Sequence, residues 1–309
     1  MKMYIIIGGA KTAYNLYKLF QRNNIDAVFY YFKGEFGAKK AGGKPIHLLD
    51  DKVINNGNII VSSETAFVYL REKLHNKLPA HYYLRDKNNY PKIAEKLGIE
   101  TIKEYSPGTI VFPVFLKPRQ SGEGKVPFKT KLITTNEELI KHDQYLNYCT
   151  LQEYLTSKEY KQISIAGYFT GSADSLISVK QLNQYPLGVS SFVSYFSNSQ
   201  LKQLKEFLSD YLKTLDYKGF IEVEFKWNIN TGKFILMDIN PRPWGWFYYY
   251  TSAVKNLKQV IKLNEQPAIN IQKSWVNLPR LVLSNLKGKF INPPVKDFIT
   301  NKICYEPYF

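Results

Sequence analysis

Cysteine is scarce: Cys149 and Cys304 are the only two in 309 residues, and they lie far apart. Two lone thiols make no disulfide framework and sit in no metal-ligand spacing, so the chain suits a reducing, cytoplasmic setting. Long apolar runs are missing as well. No stretch approaches the roughly 20 residues a membrane helix needs. The opening segment MKMYIIIGGAKTAY has one Lys ahead of a brief apolar run and no cleavage pattern, so export is not expected. Histidine is rare too. His47, His75, His81 and His142 form no ligand pattern, and no Ser/His/Asp or Cys/His spacing offers a covalent nucleophile.

Arginine is the minority base, six of the 42 Lys plus Arg residues, although net charge reaches +16. Nucleic-acid readers concentrate charge in a stripe and favour Arg for bidentate contacts. Here the Lys are scattered singly, which describes a lysine-rich surface and makes a nucleic-acid partner the weaker reading. Attraction of an anionic small substrate remains compatible with that surface.

What is present is 44% hydrophobic content, enough for two or three small domains with real cores. MYIIIGG (3–9) reads as a buried strand with Gly8-Gly9 as a turn, followed by helical AKTAYNLYKLFQRNN (10–24) and a second strand, IDAVFYYF (25–32). Strand, turn, helix, strand opens a parallel sheet, although the full G-x-G-x-x-G fingerprint is absent. NIIVSS (58–63) and helical ETAFVYLREKL (64–74) continue the alternation. A break is expected between about 85 and 112, after which strands dominate, and the tail beyond about 268 is Pro-interrupted and loosely patterned. The expected domains are 1–84, an α/β unit; 85–155, a small subdomain with its linker; and 156–309, a C-terminal subdomain.

The densest signal is GFIEVEFKWN (219–228), the turn Ile229-Asn230-Thr231-Gly232 and KFILMDINPRPWGW (233–246). The spacing predicts a hairpin. Glu222 and Glu224 share one strand face, opposite Ile221, Val223 and Phe225. A tight hairpin brings Glu224 near Asp238, with Asn240 just beyond. Two carboxylates and an amide are hard oxygen ligands suited to Mg²⁺, and Arg242 adds a fork suited to phosphate or carboxylate. A surface hairpin with exposed acids explains Glu222 comfortably. It explains Asp238 and Asn240 poorly, because they follow an apolar run that should be buried, where unpaired carboxylates are expensive.

This segment resembles the C-terminal signature of the ATP-grasp superfamily, the carboxylate–amine and carboxylate–thiol ligases and their carboxylase relatives. That pattern is an acid in one strand, a hairpin, then (E/D)-x-N-P-R, and Asp238 stands here for the commoner Glu. The resemblance covers roughly residues 80–250. It implies an α/β and α+β architecture, with a Rossmann-like pre-ATP-grasp domain followed by a two-subdomain ATP-grasp fold. PVFLKPRQSGEGK (113–125) matches the ATP-contacting Lys and glycine-rich loop, implying Lys117 and the loop residues Ser121, Gly122 and Gly124. Asp86-Lys87 resembles the family's earlier D-K pair, implying Lys87. LQEYLTSKEY (151–160) resembles the adenine hinge, with Glu153, Tyr154 and Leu155 at the base and Glu159 on the ribose. By the same resemblance Glu224, Asp238 and Asn240 hold Mg²⁺ (Mn²⁺ as an alternative), and Arg242 steadies the γ-phosphate or an acyl phosphate. Lys180, before Tyr185-Pro186-Leu187-Gly188, either supplies the basic catalytic residue that the family often has in the strand before a P-x-x-G segment or is an exposed strand Lys.

The implied activity is ATP-dependent ligation of a small carboxylate, such as an amino acid, to an amine, and a homodimer is compatible with it. Small-molecule phosphoryl transfer and a catalytically silent nucleotide-binding module are the alternatives. The aromatic run Trp244, Trp246, Phe247, Tyr248, Tyr249 and Tyr250 reads chiefly as packing, with Trp244 or Trp246 lining a pocket.

Overall fold

Short apolar strands separated by amphipathic helices dictate a parallel sheet at the start of the chain. In the computed structural model the residues described are 3–8, 11–34, 42–74, 78–119, 126–263, 265, 267–270, 273–288 and 303–305. The first unit holds β1 (Tyr4–Ile7), α1 (Lys11–Arg22), β2 (Ala27–Tyr31), β3 (Lys44–Pro45), α2 (Asp51–Asn56), β4 (Asn58–Val61) and α3 (Glu64–Leu74). The strands pair in parallel in the order β3-β2-β1-β4. Ile5, Ile6 and Ile7 are fully buried, as expected for a strand covered on both faces.

Two helices, α4 (Pro79–Arg85) and α5 (Tyr90–Lys96), lead onward to β5 (Glu100–Thr101) and β6 (Glu104–Tyr105). Then come β7 (Val114–Pro118), β8 (Lys131–Ile133), α6 (Asn136–Ile140) and β9 (Cys149–Glu153). The strands β6-β9-β7-β8 form a small antiparallel sheet. One of its faces packs Val114, Leu116, Ile133 and Leu151 into a core of its own. The other carries Phe115 and Lys117, by the two-residue alternation of β7.

The remaining chain builds an eight-stranded sheet, ordered β16-β15-β12-β11-β10-β13-β14-β5. Its elements are β10 (Tyr160–Phe169), β11 (Leu176–Gln184), β12 (Ser190–Tyr195), α7 (Ser199–Thr214), β13 (Gly219–Asn228) and β14 (Phe234–Asn240). They are followed by α8 (Phe247–Ala253), α9 (Leu257–Leu263), β15 (Ser274–Val276), α10 (Leu278–Leu286) and β16 (Ile303–Tyr305). One sheet face is covered by α5 and α7, which presents Leu201, Leu204, Leu208 and Leu212 at helical spacing. The opposite face packs Ala166, Ile177, Val179 and Phe220 against α1 and the aromatic segment 244–250. The Tyr4 hydroxyl donates to the Ile261 carbonyl at 3.2 Å, a further link between the first sheet and the C-terminal helices.

The loosely patterned tail is a point of difference. Residues 274–286 form β15 and α10, with Trp275 and Val276 fully buried and β15 paired to β12. Three-residue strands are too short to show a period, so only tertiary pairing reveals them.

His81 packs against Tyr217 with ring centroids 4.7 Å apart, and burial pushes its pKa down to about 4. The folded state therefore binds fewer protons than the unfolded chain between that value and the ordinary 6.5. Stability is expected to be full above about pH 6.5 and to fall towards pH 4, by up to about 3 kcal/mol. Urea unfolding at several pH values checks this, and His81→Phe should flatten the slope.

Candidate functional site

Strands β13 and β14 place Glu222 opposite Asn240 and Glu224 opposite Asp238. The tip is closed by Asn228, whose side chain accepts from the Asn230 and Thr231 amides at 2.9 and 3.0 Å. Gly232, at φ 74°, turns the chain back, a backbone state that glycine adopts without penalty.

A register shift lies between Glu224/Asp238 and Phe225/Leu236, leaving Met237 as an extra residue. Phe234 and Leu236 point into the core under α5 and α7. Strict alternation would send Asp238 and Asn240 the same way. The bulge reverses the parity and turns both onto the face of Glu222 and Glu224, as bulges beside functional sites do.

Asp238 accepts from Lys87 at 2.5 Å and from the Tyr90 hydroxyl at 2.8 Å. Tyr90 in turn accepts from the Ile239 amide at 2.8 Å, satisfying an N–H at the bulge. Burial works against the Asp238 carboxylate, but Lys87 and these hydrogen bonds outweigh it and hold its pKa below the usual value. Glu224 has the opposite balance. Burial and the Asp238 charge raise its pKa, although Lys117 and a short hydrogen bond from Gln162 oppose the rise. Glu222 is 4% exposed and accepts from the Trp246 indole at 2.7 Å and from Asn240 at 3.3 Å. Burial and neighbouring Glu224 push it well above the carboxylate range. The expectation of Glu222 as a surface acid is overturned: an acidic residue between two buried apolar ones gave no sign that both faces of β13 are covered.

These acids line one cavity of about 1010 Å³ together with Lys87, Lys117, Lys226, Arg242 and Met237. Burial and the Lys87 charge lower the Lys117 pKa to about 8, while Asp238 and Glu224 pull it back up. Arg242 spends Nε on Glu64 at 2.8 Å, one terminal nitrogen on the Pro243 carbonyl at 3.0 Å and the other on Asn240 at 2.9 Å. Glu64 also accepts from Arg85 at 2.8 Å, so one carboxylate of α3 ties two guanidinium groups to the first sheet. Burial opposes its charge, yet Arg242 and Arg85 hold the Glu64 pKa below its usual value.

Among the described residues no three His, Cys, Asp or Glu side chains converge closely enough to hold a metal alone. The donor set is instead Glu224, Asp238 and the Asn240 carbonyl oxygen, hard oxygens on one strand face. Mg²⁺ is usually held by one or two carboxylates with substrate phosphates completing the shell, so these residues fit the ion as part of a nucleotide complex.

No family model matches the sequence, and no curated protein matches it. Solved structures do. An N5-carboxyaminoimidazole ribonucleotide synthetase bound to ADP aligns at TM-score 0.65 and 14% identity, over 93% of this chain and 84% of that one. Biotin carboxylase from Campylobacter jejuni aligns at TM-score 0.60 and 16% identity, over 88% of this chain and 73% of that one. The L-amino acid ligase from Bacillus licheniformis aligns at TM-score 0.61 and 13% identity, over 88% and 78%. The chain has the ATP-grasp fold.

Within that ATP-grasp fold the remaining expected residues divide sharply. The segment expected as the hinge lies one side chain behind the cavity wall: Tyr154 packs on Phe115 at 5.3 Å between centroids, and Leu155 clusters with Met237. Glu153 is half-buried, with its amide donating to the Lys103 carbonyl at 2.9 Å. Glu159 is exposed, and its carbonyl accepts from Ile229 at the hairpin tip. Lys180 is not brought to the site. It opposes Ile163 on the α5/α7 side of the sheet, and its ammonium lies 5.6 Å from the centre of the Phe196 ring. One residue of strand alternation decides its face, and that parity was invisible without the register. Ser121, Gly122 and Gly124, like Gly9, lie outside the described residues. Trp244 does line the cavity, whereas Trp246 is fully buried as the donor to Glu222.

Several site residues had no sequence signal. Tyr90 reads as an ordinary helix-start aromatic, and Gln162 and Lys226 as solvent-facing strand positions. Lys226 opposes Gln162 across β10 and β13, and both line the cavity. No helix among the described residues is long and apolar enough to cross a membrane.

Proposed function

We propose that the protein is an ATP-dependent ligase that activates a small carboxylate as an acyl phosphate for attack by an amine. The observation that carries this reading is the opposition of Glu224 and Asp238 across one hairpin, in a single cavity with Lys117 of the small sheet. The cavity has the size of a site for a nucleotide and a small co-substrate. The named relatives support the same class: one structure holds ADP, and another is called an amino acid ligase.

In this reading Glu224, Asp238 and Asn240 hold Mg²⁺, which neutralises charge that develops on the phosphates. Lys87 is paired with Asp238 and lines the same cavity as Lys117, and in this reading both would give their charge to phosphate oxygens. Arg242, fixed by Glu64, keeps further N–H donors of its five for the transferring phosphoryl group or the acyl phosphate. Phe115 and Met237, backed by Tyr154 and Leu155, supply the apolar walls for the base.

A phosphate-release screen with Mg²⁺ and ATP against pooled amino acids, small carboxylates and amines tests the proposal. Release of ADP and phosphate with a new amide supports it. Phosphate left on the substrate makes the protein a kinase, and tight ATP binding with silence across the panel makes it a binding module.

Divalent binding should also depend on pH. Burial raises the pKa of Glu224 and of Glu222 behind it, so a cation held at Glu224 would release protons as these groups ionise. Mg²⁺ affinity with nucleotide present is expected to rise with pH until those groups are ionised. Calorimetry in two buffers of different ionisation enthalpy should reveal net proton release.

A further inference from the structure

We infer that Gln162 and Gln181 are positioning residues: each turns its amide nitrogen onto one oxygen of Glu224, Oε2, and so sets how that carboxylate meets a cation. The inference rests on the ligase reading of Glu224 and deepens it.

Strand register brings the side chains together. Gln162 of β10 lies opposite Gln181 of β11, and Ser164, two residues on, lies opposite Glu224 of β13. Opposed residues and residues two apart share a face, so all four meet on one side of the sheet. Gln162 Nε2 donates to Glu224 Oε2 in a short hydrogen bond. Gln181 Nε2 donates to the Ser164 hydroxyl at 2.9 Å and lies 3.5 Å from the same Glu224 oxygen. Both contacts fall on Oε2, which leaves Oε1 for the cation.

An amide side chain can present its oxygen or its nitrogen, and here the β11–β12 turn sets the direction. The Gly188 backbone N–H can only donate, and it donates to Gln184 Oε1 at 3.2 Å. Gln184 therefore offers its Nε2 to Gln181 Oε1, at 2.9 Å, and the Ser190 hydroxyl donates to the same oxygen at 3.0 Å. With its oxygen engaged there, Gln181 has its nitrogen to turn towards Ser164 and Glu224. Strict alternation would put Gln184 on the face away from Gln181. Register shifts at Gln181/Asn183 and at Asn183/Gln184 bring it back. The result is a chain of aligned donors that runs from a backbone N–H of the turn to the carboxylate. Outer hydrogen bonds of this kind orient ligating carboxylates, and losing one typically costs about 10- to 100-fold in metal affinity or activity.

The test is calorimetric titration of the full chain with a non-hydrolysable ATP analogue, at a series of Mg²⁺ concentrations and in EDTA. Gln181→Met keeps the length of the side chain and removes its donor. It should raise the Mg²⁺ concentration needed for half-maximal tightening by about tenfold, with affinity in EDTA unchanged. Gln162→Met removes the shorter bond to the same oxygen and should act in the same direction, which keeps the inference testable if the first variant fails to fold. Each loss should shrink to less than about twofold in a Glu224→Gln background, because a positioning residue acts through the group it holds. Equal losses with and without Mg²⁺, or losses undiminished in that background, would show a general packing role and overturn the inference. Unchanged Mg²⁺ dependence in the folded variants overturns it too, and leaves the ligase reading standing. A wild type whose affinity for the analogue is indifferent to Mg²⁺ removes both.

Discussion

Glu224→Gln is expected to abolish Mg²⁺-dependent ATP turnover, by about 10³-fold or about 4 kcal/mol of barrier, while leaving the folded protein as stable as the wild type or more so. The two effects have one cause. Glu224 is half-buried beside Asp238, and its raised pKa means that the ionised form is less favourable in the folded state than in the unfolded chain. At neutral pH an uncharged amide of the same shape relieves that penalty. It also offers a cation only one neutral oxygen, where in the proposed reading a carboxylate would hold the Mg²⁺ that neutralises the phosphates. Steady-state phosphate release and thermal unfolding, run on the same samples, separate the two. Loss of turnover together with loss of stability would point to a structural role instead.

Glu64→Ala should be the most destabilising change at the site's rim, by about 3 kcal/mol, because it strands two guanidinium groups at once. Arg85, Glu64 and Arg242 are 11%, 24% and 20% exposed, so water compensates only partly. Urea midpoints of Glu64→Ala, Arg85→Ala and the double variant form a cycle, and the double variant should be much less destabilised than the sum of the singles. Turnover should fall as well, since Arg242 loses the partner that fixes its Nε. Additive effects with normal turnover would show that Glu64 and Arg85 are not energetically coupled and that the triad does not serve the site.

The hairpin was legible in the sequence almost residue for residue, because strand alternation and an Asn-Thr-Gly turn are local signals. That Glu224 faces Asp238 was legible too, but for an incomplete reason. The count from an apolar run places Asp238 on a core-facing parity, and only the bulge at Met237 turns it to the cavity. A bulge depends on partner-strand spacing and leaves no reliable mark in one sequence. The same ignorance of register left Lys180 open between a catalytic position and an exposed strand position. Glu222 was misjudged because its partners, Trp246 and Asn240, lie 24 and 18 positions away. Lys87 was singled out only through the family resemblance, and its ion pair with Asp238, 151 positions on, was not legible. The helix α10 was missed as well, because its three-residue strand neighbour β15 gave no period by which to place it.

The most direct measurement is isotope transfer from the carboxylate that the pooled screen returns, labelled with ¹⁸O and turned over with Mg²⁺, ATP and its amine. Activation through an acyl phosphate moves one labelled oxygen into the released inorganic phosphate, and that is the expected result. Phosphate that emerges unlabelled while the amide forms would contradict it.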